Sequence, residues 1–311
     1  MIRFLLRRLC WVLPNLIILT FLLFAAVTQW LGSPAGMMLG TDASPEAIAD
    51  LNARYGFDRP VVVQYVDWIT SALSGDFGRS YISRQPVSTM IANAAPVTAE
   101  LAFWAMLTSI VLCLAVNSLT VAKMTVGTIA FFVCIVGVTV PNFLLGATLI
   151  NVFSVKLGWL PTSGWSPWRN GAVDHLTHLI MPVMTLSAFY FSAFTMIYRA
   201  EYNDVRQQLF VRVAAAKGVT DDRISFVHIL PNAVLPLVTY IGTSMGGLVG
   251  GAVITETIFS MPGLGRLFVS AVAGSDFPVM LAMGMITLTG VMILNLLAEL
   301  TLAALNPQIR I

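Results

Sequence analysis

Asp174, His175 and His178, in "DHLTHLIMP", are the residues of this chain whose types and spacing come nearest to metal chemistry. On a helix, residues three and four apart share a face, so two imidazoles and a carboxylate could converge on one cation. No fourth ligand stands nearby, and a polar cluster at a membrane interface is the plainer reading. Glu256 and Glu299 fall at or near membrane depth, where a charge is expensive and must face protein or water. Such carboxylates could serve a proton-coupled secondary transporter. A whole span separates them, however; Glu256 reads as capping or hydrogen-bonding a polar outer segment, and Glu299 as bonding within the bundle near the inner interface. No glycine is followed directly by lysine, which excludes the lysine-bearing phosphate loop of nucleotide hydrolases. Cys10, Cys113 and Cys134 all lie in apolar runs without metal-ligand spacing, and read as small packing residues.

These groups are carried by an unusually apolar chain. Of 311 residues, 57% are hydrophobic and 10% charged, and the mean hydropathy is +0.83. A soluble domain carries about 25% charged residues to keep its surface hydrated. The chain is therefore an all-α integral membrane protein, and its net charge of +2 gives no reason to expect nucleic acid. The apolar run from Leu9 to Leu31 would extend ~34 Å as a helix, enough for a bilayer core of ~30 Å. It is too long for the apolar region of a signal peptide and no A-x-A site follows, so it reads as a retained first helix. Five more spans are expected, near Thr98–Leu119, Val126–Val155, Leu176–Tyr198, Ala233–Ile258 and Val279–Leu305. Six transmembrane helices return the chain to its starting side. In "GGLVGG" (Gly246–Gly251), two glycine pairs four apart give the close-packing spacing of membrane helices. Trp159, Trp165 and Trp168 read as an interfacial aromatic belt.

Charge placement orients the spans. Arg3, Arg7, Arg8, Lys123, Arg199, Arg206, Arg212, Lys217, Arg223 and Arg310 fall on one side, where the connections are short. The positive-inside rule puts that side, with both termini, in the cytoplasm. The expected organisation is a cytoplasmic N-terminus and first helix (1–31), an extracytoplasmic loop or cap (32–97), and a core of five helices (98–311) with a cytoplasmic loop at 199–232. In the cap, "SPEAIADLNARYGFDRPVVVQYVDWI" has helical spacing and a capping-type Ser-Pro-Glu start. The loop at 199–232 is too short for a domain and too patterned for a mere connection. Glu201–Lys217 is expected to form a helix ended by Gly218 in a left-handed conformation. Thr220 would cap a second helix with Asp221 and Asp222 at its positive end, and Pro231 would mark the step into the fifth span. On physical grounds the loop is either a solvated interfacial segment or a helix–turn–helix whose small alanines fit a partner's groove.

The stretch "AAAKGVTDDRISFVHILPNAVLP" resembles the cytoplasmic coupling loop of the membrane subunits of ABC importers, and more narrowly the peptide/nickel permease family of the dipeptide and oligopeptide permease B type. The resemblance covers nearly the whole chain: "MIRFLLRRL", the cap sequence with "GDFGRSYISRQPV", "ITETIFSMPGLGRLFVSAVAGSDFPV" and "LNPQIRI" are similar to the corresponding family segments. It implies a type I importer fold and a non-catalytic translocation subunit for di- or oligopeptides, or alternatively for nickel or another metal chelate. It implies as partners a second homologous permease, two cytoplasmic ATPases holding ATP and Mg, and an extracytoplasmic solute-binding protein, in a bacterial inner membrane. Carried over by position, Arg212, Ala214, Ala215, Ala216, Lys217 and Gly218 belong to the ATPase-docking segment, and His228, Pro231 and Asn232 to the motif's closing half. Glu256, Pro262, Gly263, Gly265 and Arg266 are the weaker candidates for an outer gate or binding-protein contact. Val213 departs mildly from the general importer motif. The junction of the second and third spans departs more clearly, with little charge beyond Lys123 where relatives carry a Gly-Ile-Pro-like step and a basic cytoplasmic loop.

Overall fold

Long apolar runs in so weakly charged a chain satisfy their backbone hydrogen bonds internally, as helices. The computed structural model describes residues 2–30, 34–39, 44–122 and 124–305, and these are helical apart from their connections. Lys123, Arg310, the start of the cap at Gly32 and nearly all of "LNPQIRI" lie outside the described residues. The helices are α1 (Ile2–Trp30), α2 (Pro34–Leu39), α3 (Pro45–Tyr55), α4 (Val61–Leu73), α5 (Val87–Ala122), α6 (Met124–Thr139) and α7 (Asn142–Leu149). They continue with α8 (Ala172–Arg206), α9 (Leu209–Ala216), α10 (Asp221–Arg223), α11 (Leu230–Ile258), α12 (Leu264–Ala273) and α13 (Phe277–Leu305).

Among the described residues, five stretches are long and apolar enough to cross a membrane: Cys10–Thr28, Val87–Ser118, Ala172–Arg206, Asp221–Ile258 and Phe277–Thr301. The expected third span is not one helix. It breaks into Ile129–Thr139 and Asn142–Lys156, bent by 107°. The cause is Pro141, which lacks an N–H and disfavours helical backbone at Val140. Among the described residues the count is therefore five continuous spans, or six with the bent pair. The fourth and fifth spans also outrun their expected bounds, because hydrophobicity locates the membrane while the helical hydrogen bonding continues past it.

The chain divides into two compact units, residues 1–98 with 262–293, and residues 99–261 with 294–311. In the first unit, α3 begins as its sequence demands: the Ser44 side chain accepts the Ala47 N–H at 3.2 Å, and Gly56 closes the helix at φ +70°. Tyr65 of α4 sits among Phe21 and Phe24 of α1, and its hydroxyl lies 2.8 Å from Thr20 Oγ1. The α4–α5 connection closes an antiparallel bridge between Arg79 and Pro86. Asp276, just before α13, holds this hairpin by accepting from the Ser80 hydroxyl and, at 2.9 Å, from the Tyr81 N–H.

The second unit is built around α8, which packs against α6, α7 and α11. Gly251 lets α11 approach closely, since a Cβ there would lie 2.9 Å from Leu186 Cδ1. Gly247, one turn earlier, faces the Tyr190 hydroxyl, whereas a Cβ at Gly250 would meet nothing within 4 Å. One of the two expected glycine pairs thus serves α8–α11 packing.

Candidate functional site

The segment between α8 and α11 differs from its expected form at both ends. Glu201–Lys217 is not one helix: α8 runs on to Arg206, Gln207 and Gln208 turn the chain, and α9 occupies Leu209–Ala216 alone. Gln208 is extended (φ −69°, ψ 152°), which interrupts the helical hydrogen bonding and re-aims α9. Gly218 ends α9 as expected, at φ +78°. The Gly218 N–H donates to Ala215 O at 2.9 Å and the Val219 N–H to Ala214 O at 3.2 Å. This is the paired hydrogen bonding that a left-handed residue after a helix makes available.

Val211 and Ala214, three apart, are the buried face of α9. Arg212, Ala215, Ala216, Lys217 and Gly218 are exposed, as are the apolar Leu209 (76%), Phe210 and Val213. Of the expected docking residues, Ala214 alone is turned inward. Thr220 stands at the start of α10 in extended conformation, with Asp221 and Asp222 in the first turn, but its side chain makes no capping hydrogen bond. Nor is there a step at Pro231. The chain passes from α10 through a π-wound stretch, Ile224–Ile229, into α11. Proline has no N–H to donate and its ring crowds the carbonyl one turn back, and a widened turn accommodates both effects. His228 is half-buried in this stretch, and its carbonyl accepts the Asn232 side-chain amide at 2.8 Å. The Tyr202 hydroxyl lies 2.8 Å from Ser225 Oγ and ties α8 to the same stretch. A cavity of about 580 Å³ opens beside it, with Arg206, Arg212, Asp221 and Asp222 in its lining.

The weaker outer candidates do not form a cluster within one unit. Glu256 is fully buried near the end of α11 in the second unit, where its backbone carbonyl accepts the Met261 N–H at 2.9 Å. Pro262, Gly263, Gly265 and Arg266 belong to the first. The Leu264 N–H there donates to Thr98 Oγ1 at 2.8 Å and opens α12, so the Pro262–Gly265 run is helical from Leu264 onward. Glu299 is half-buried in α13.

His175 is fully buried, and both of its ring nitrogens are engaged. Nδ1 lies 2.6 Å from the Ser166 carbonyl oxygen and Nε2 3.0 Å from Glu100 Oε1, while the ring stacks on Trp168 at 4.0 Å. Trp168 donates its indole N–H to the same Glu100 oxygen at 2.9 Å. His178 instead bonds the Asp174 carbonyl from Nδ1 at 2.8 Å. Among the described residues no three His, Cys, Asp or Glu side chains are grouped to hold a metal. Trp168, expected only as part of an interfacial belt, is thus a hydrogen-bond donor in a polar cluster. Glu100, Ser80 and Asp276 escaped the sequence reading because their partners are distant in the chain and no local pattern announces them.

Residues 113–311 match the family model described as "Binding-protein-dependent transport system inner membrane component", and residues 1–102 match the model of the corresponding N-terminal region. Along its full length the chain is similar to the glutathione transport system permease protein GsiC of Salmonella typhi, at 35% identity over 312 residues, covering 100% of this chain and 99% of that protein. The protein of the same name from Escherichia coli is 34% identical over the same coverage.

Proposed function

The chain belongs to the binding-protein-dependent transport system inner membrane components, and from that premise we propose that it is one translocation subunit of an ATP-driven importer of di- and oligopeptides, docked to a separate ATPase through α9. The family's members are non-catalytic, multi-pass membrane components; ATP and Mg reside on partner ATPases. The observation that carries the docking reading is α9 itself. It is a short helix with one face anchored through Val211 and Ala214, the other exposed with apolar Leu209, Phe210 and Val213, and a left-handed glycine stop. A rigid amphipathic knob of this kind suits insertion into a partner's groove.

In this reading the 199–232 side is cytoplasmic and the 32–97 segment extracytoplasmic. A second homologous permease completes the pathway, and a solute-binding protein delivers substrate over the cap and the Glu256–Phe277 segment. ATP binding shifts the assembly between inward-open and outward-open states only as far as it favours one of them, and α9 transmits that difference. The peptide assignment is supported by relatives whose names specify glutathione transport, glutathione being a tripeptide. Nothing specific favours a nickel chelate.

Gly218→Val tests the docking. A Cβ at 218 meets no atom within 4 Å, so the substitution acts through backbone strain, ~1–2 kcal/mol. The expected outcome is normal membrane insertion with reduced ATPase association and reduced ATP-dependent uptake, and a milder loss for Gly218→Asn. Undiminished association and uptake in Gly218→Val would refute the docking role. Uptake that stops when the proton gradient is collapsed while ATP is maintained would favour a secondary transporter instead.

A further inference from the structure

The first unit holds a cleft of about 570 Å³ that neither α9 nor the family assignment accounts for. Its lining includes the aromatic Phe24, Phe57, Trp68 and Phe277. It also includes the charged Arg59, Asp67, Asp76, Arg79 and Arg84. These charges are not all neutralised. Arg59 pairs with Asp67 at 2.7 Å, and Asp76 Oδ1 accepts the Gly78 N–H at 2.9 Å. The guanidinium of Arg79 reaches only the Arg84 carbonyl, at 3.4 Å, and that of Arg84 has no hydrogen bond or ion pair among the described residues. Asp276 is buried behind the hairpin at Ser80 and Tyr81, so among the described residues the guanidinium donors of Arg79 and Arg84 are left open to the cleft with no carboxylate paired to them.

The arm that bears them is held in place. Arg79 and Arg84 sit in the hairpin that Asp276 anchors through Ser80 and Tyr81. Ile82 packs against Gly274 so closely that a Cβ at 274 would lie 2.4 Å from Ile82 Cδ1. Arg84 itself is held at φ +60°, a conformation that non-glycine residues adopt only at a cost. A strained, anchored hairpin that brings two arginines into the same cleft as aromatic side chains is pre-organised for an anion attached to an apolar body, since guanidinium groups bind carboxylate and phosphate through paired hydrogen bonds.

We propose that this cleft is a binding site for an apolar ligand that bears an anionic oxygen group, of the class of a short peptide's C-terminal end, with Arg79 and Arg84 as its anion ligands. The peptide as source rests on the import reading. The same chemistry could be supplied by the phosphate and acyl chains of an anionic phospholipid, and the test separates the two.

The full-length chain is placed in phosphatidylcholine nanodiscs and titrated by calorimetry with leucyl-phenylalanyl-phenylalanine and with its C-terminal amide. A second preparation in phosphatidylglycerol is read for retained lipid by native mass spectrometry. The free acid is expected to bind about tenfold more tightly than the amide, and Arg79→Gln or Arg84→Gln to weaken the acid about tenfold while leaving the amide unchanged. Retention of phosphatidylglycerol that Arg79→Gln and Arg84→Gln abolish, without peptide binding, supports the anion site and identifies lipid as its source. Equal binding of acid and amide, no binding of either anion, or wild-type binding by the doubly substituted chain overturns the proposal. Both arginines are exposed, and an unchanged unfolding temperature checks that the variants are folded. The assay contains no ATPase or binding protein, so its result is independent of the Gly218→Val uptake test.

Discussion

His175 shows how a buried side chain can look like a site and act as a joint. The Ser166 carbonyl can only accept, so Nδ1 donates across that 2.6 Å contact, while Nε2 lies 3.0 Å from Glu100 Oε1. His175→Leu removes both bonds at once and leaves the Ser166 carbonyl and the Glu100 carboxylate to find other partners. Glu100 is about one-fifth exposed and recovers some hydration, so the expected loss is ~1–3 kcal/mol, read as a lower apparent unfolding temperature in nanodiscs. His175→Gln should fall between. Because both nitrogens are committed, added Zn²⁺ or Ni²⁺ should leave the wild-type temperature unchanged. A metal-dependent rise that His175→Leu abolishes would restore the metal reading.

At the scale of elements, the breaks and contacts decide more than the spans do. Pro141 turns one expected helix into two, and Pro231 lies where the chain widens into a π turn yet continues without a stop. The α8–α11 contact depends on which glycine faces it. At Gly251 a larger side chain must displace Leu186, whereas Gly250 faces open space. Gly251→Leu is therefore expected to destabilise the protein by ~1–3 kcal/mol through overpacking, while Gly250→Leu is neutral or mildly stabilising because leucine is the better helix former. Comparing the two unfolding temperatures checks this; equal shifts would mean that the close approach is unimportant. Both glycines look alike in "GGLVGG", and the packing angle of two helices, which no single run encodes, distinguishes them.

For the whole molecule, the proposed orientation rests on charge placement, and labelling can test it. In a cysteine-free background, Asp58→Cys should react with an impermeant maleimide added to intact spheroplasts and Gln207→Cys should not; the reverse pattern would invert the proposed topology. The sequence by itself determined the membrane class, the position of the apolar runs, the start of α3 at Ser44 and the left-handed stop at Gly218. Each of these depends on residues within a turn or two of one another, where composition and backbone preference act directly. It also carried the resemblance on which the family expectation rested. Only the tertiary structure decided that α9 is a separate short helix with Ala214 turned inward, that His175 is committed to Glu100, and that Asp276 anchors the arginine hairpin. Glu100 and His175 are 75 residues apart in the chain, and Ser80 and Asp276 are 196 apart. No periodicity reaches across such separations: those partners are chosen when helices pack, by which faces fit and which polar groups would otherwise be buried alone.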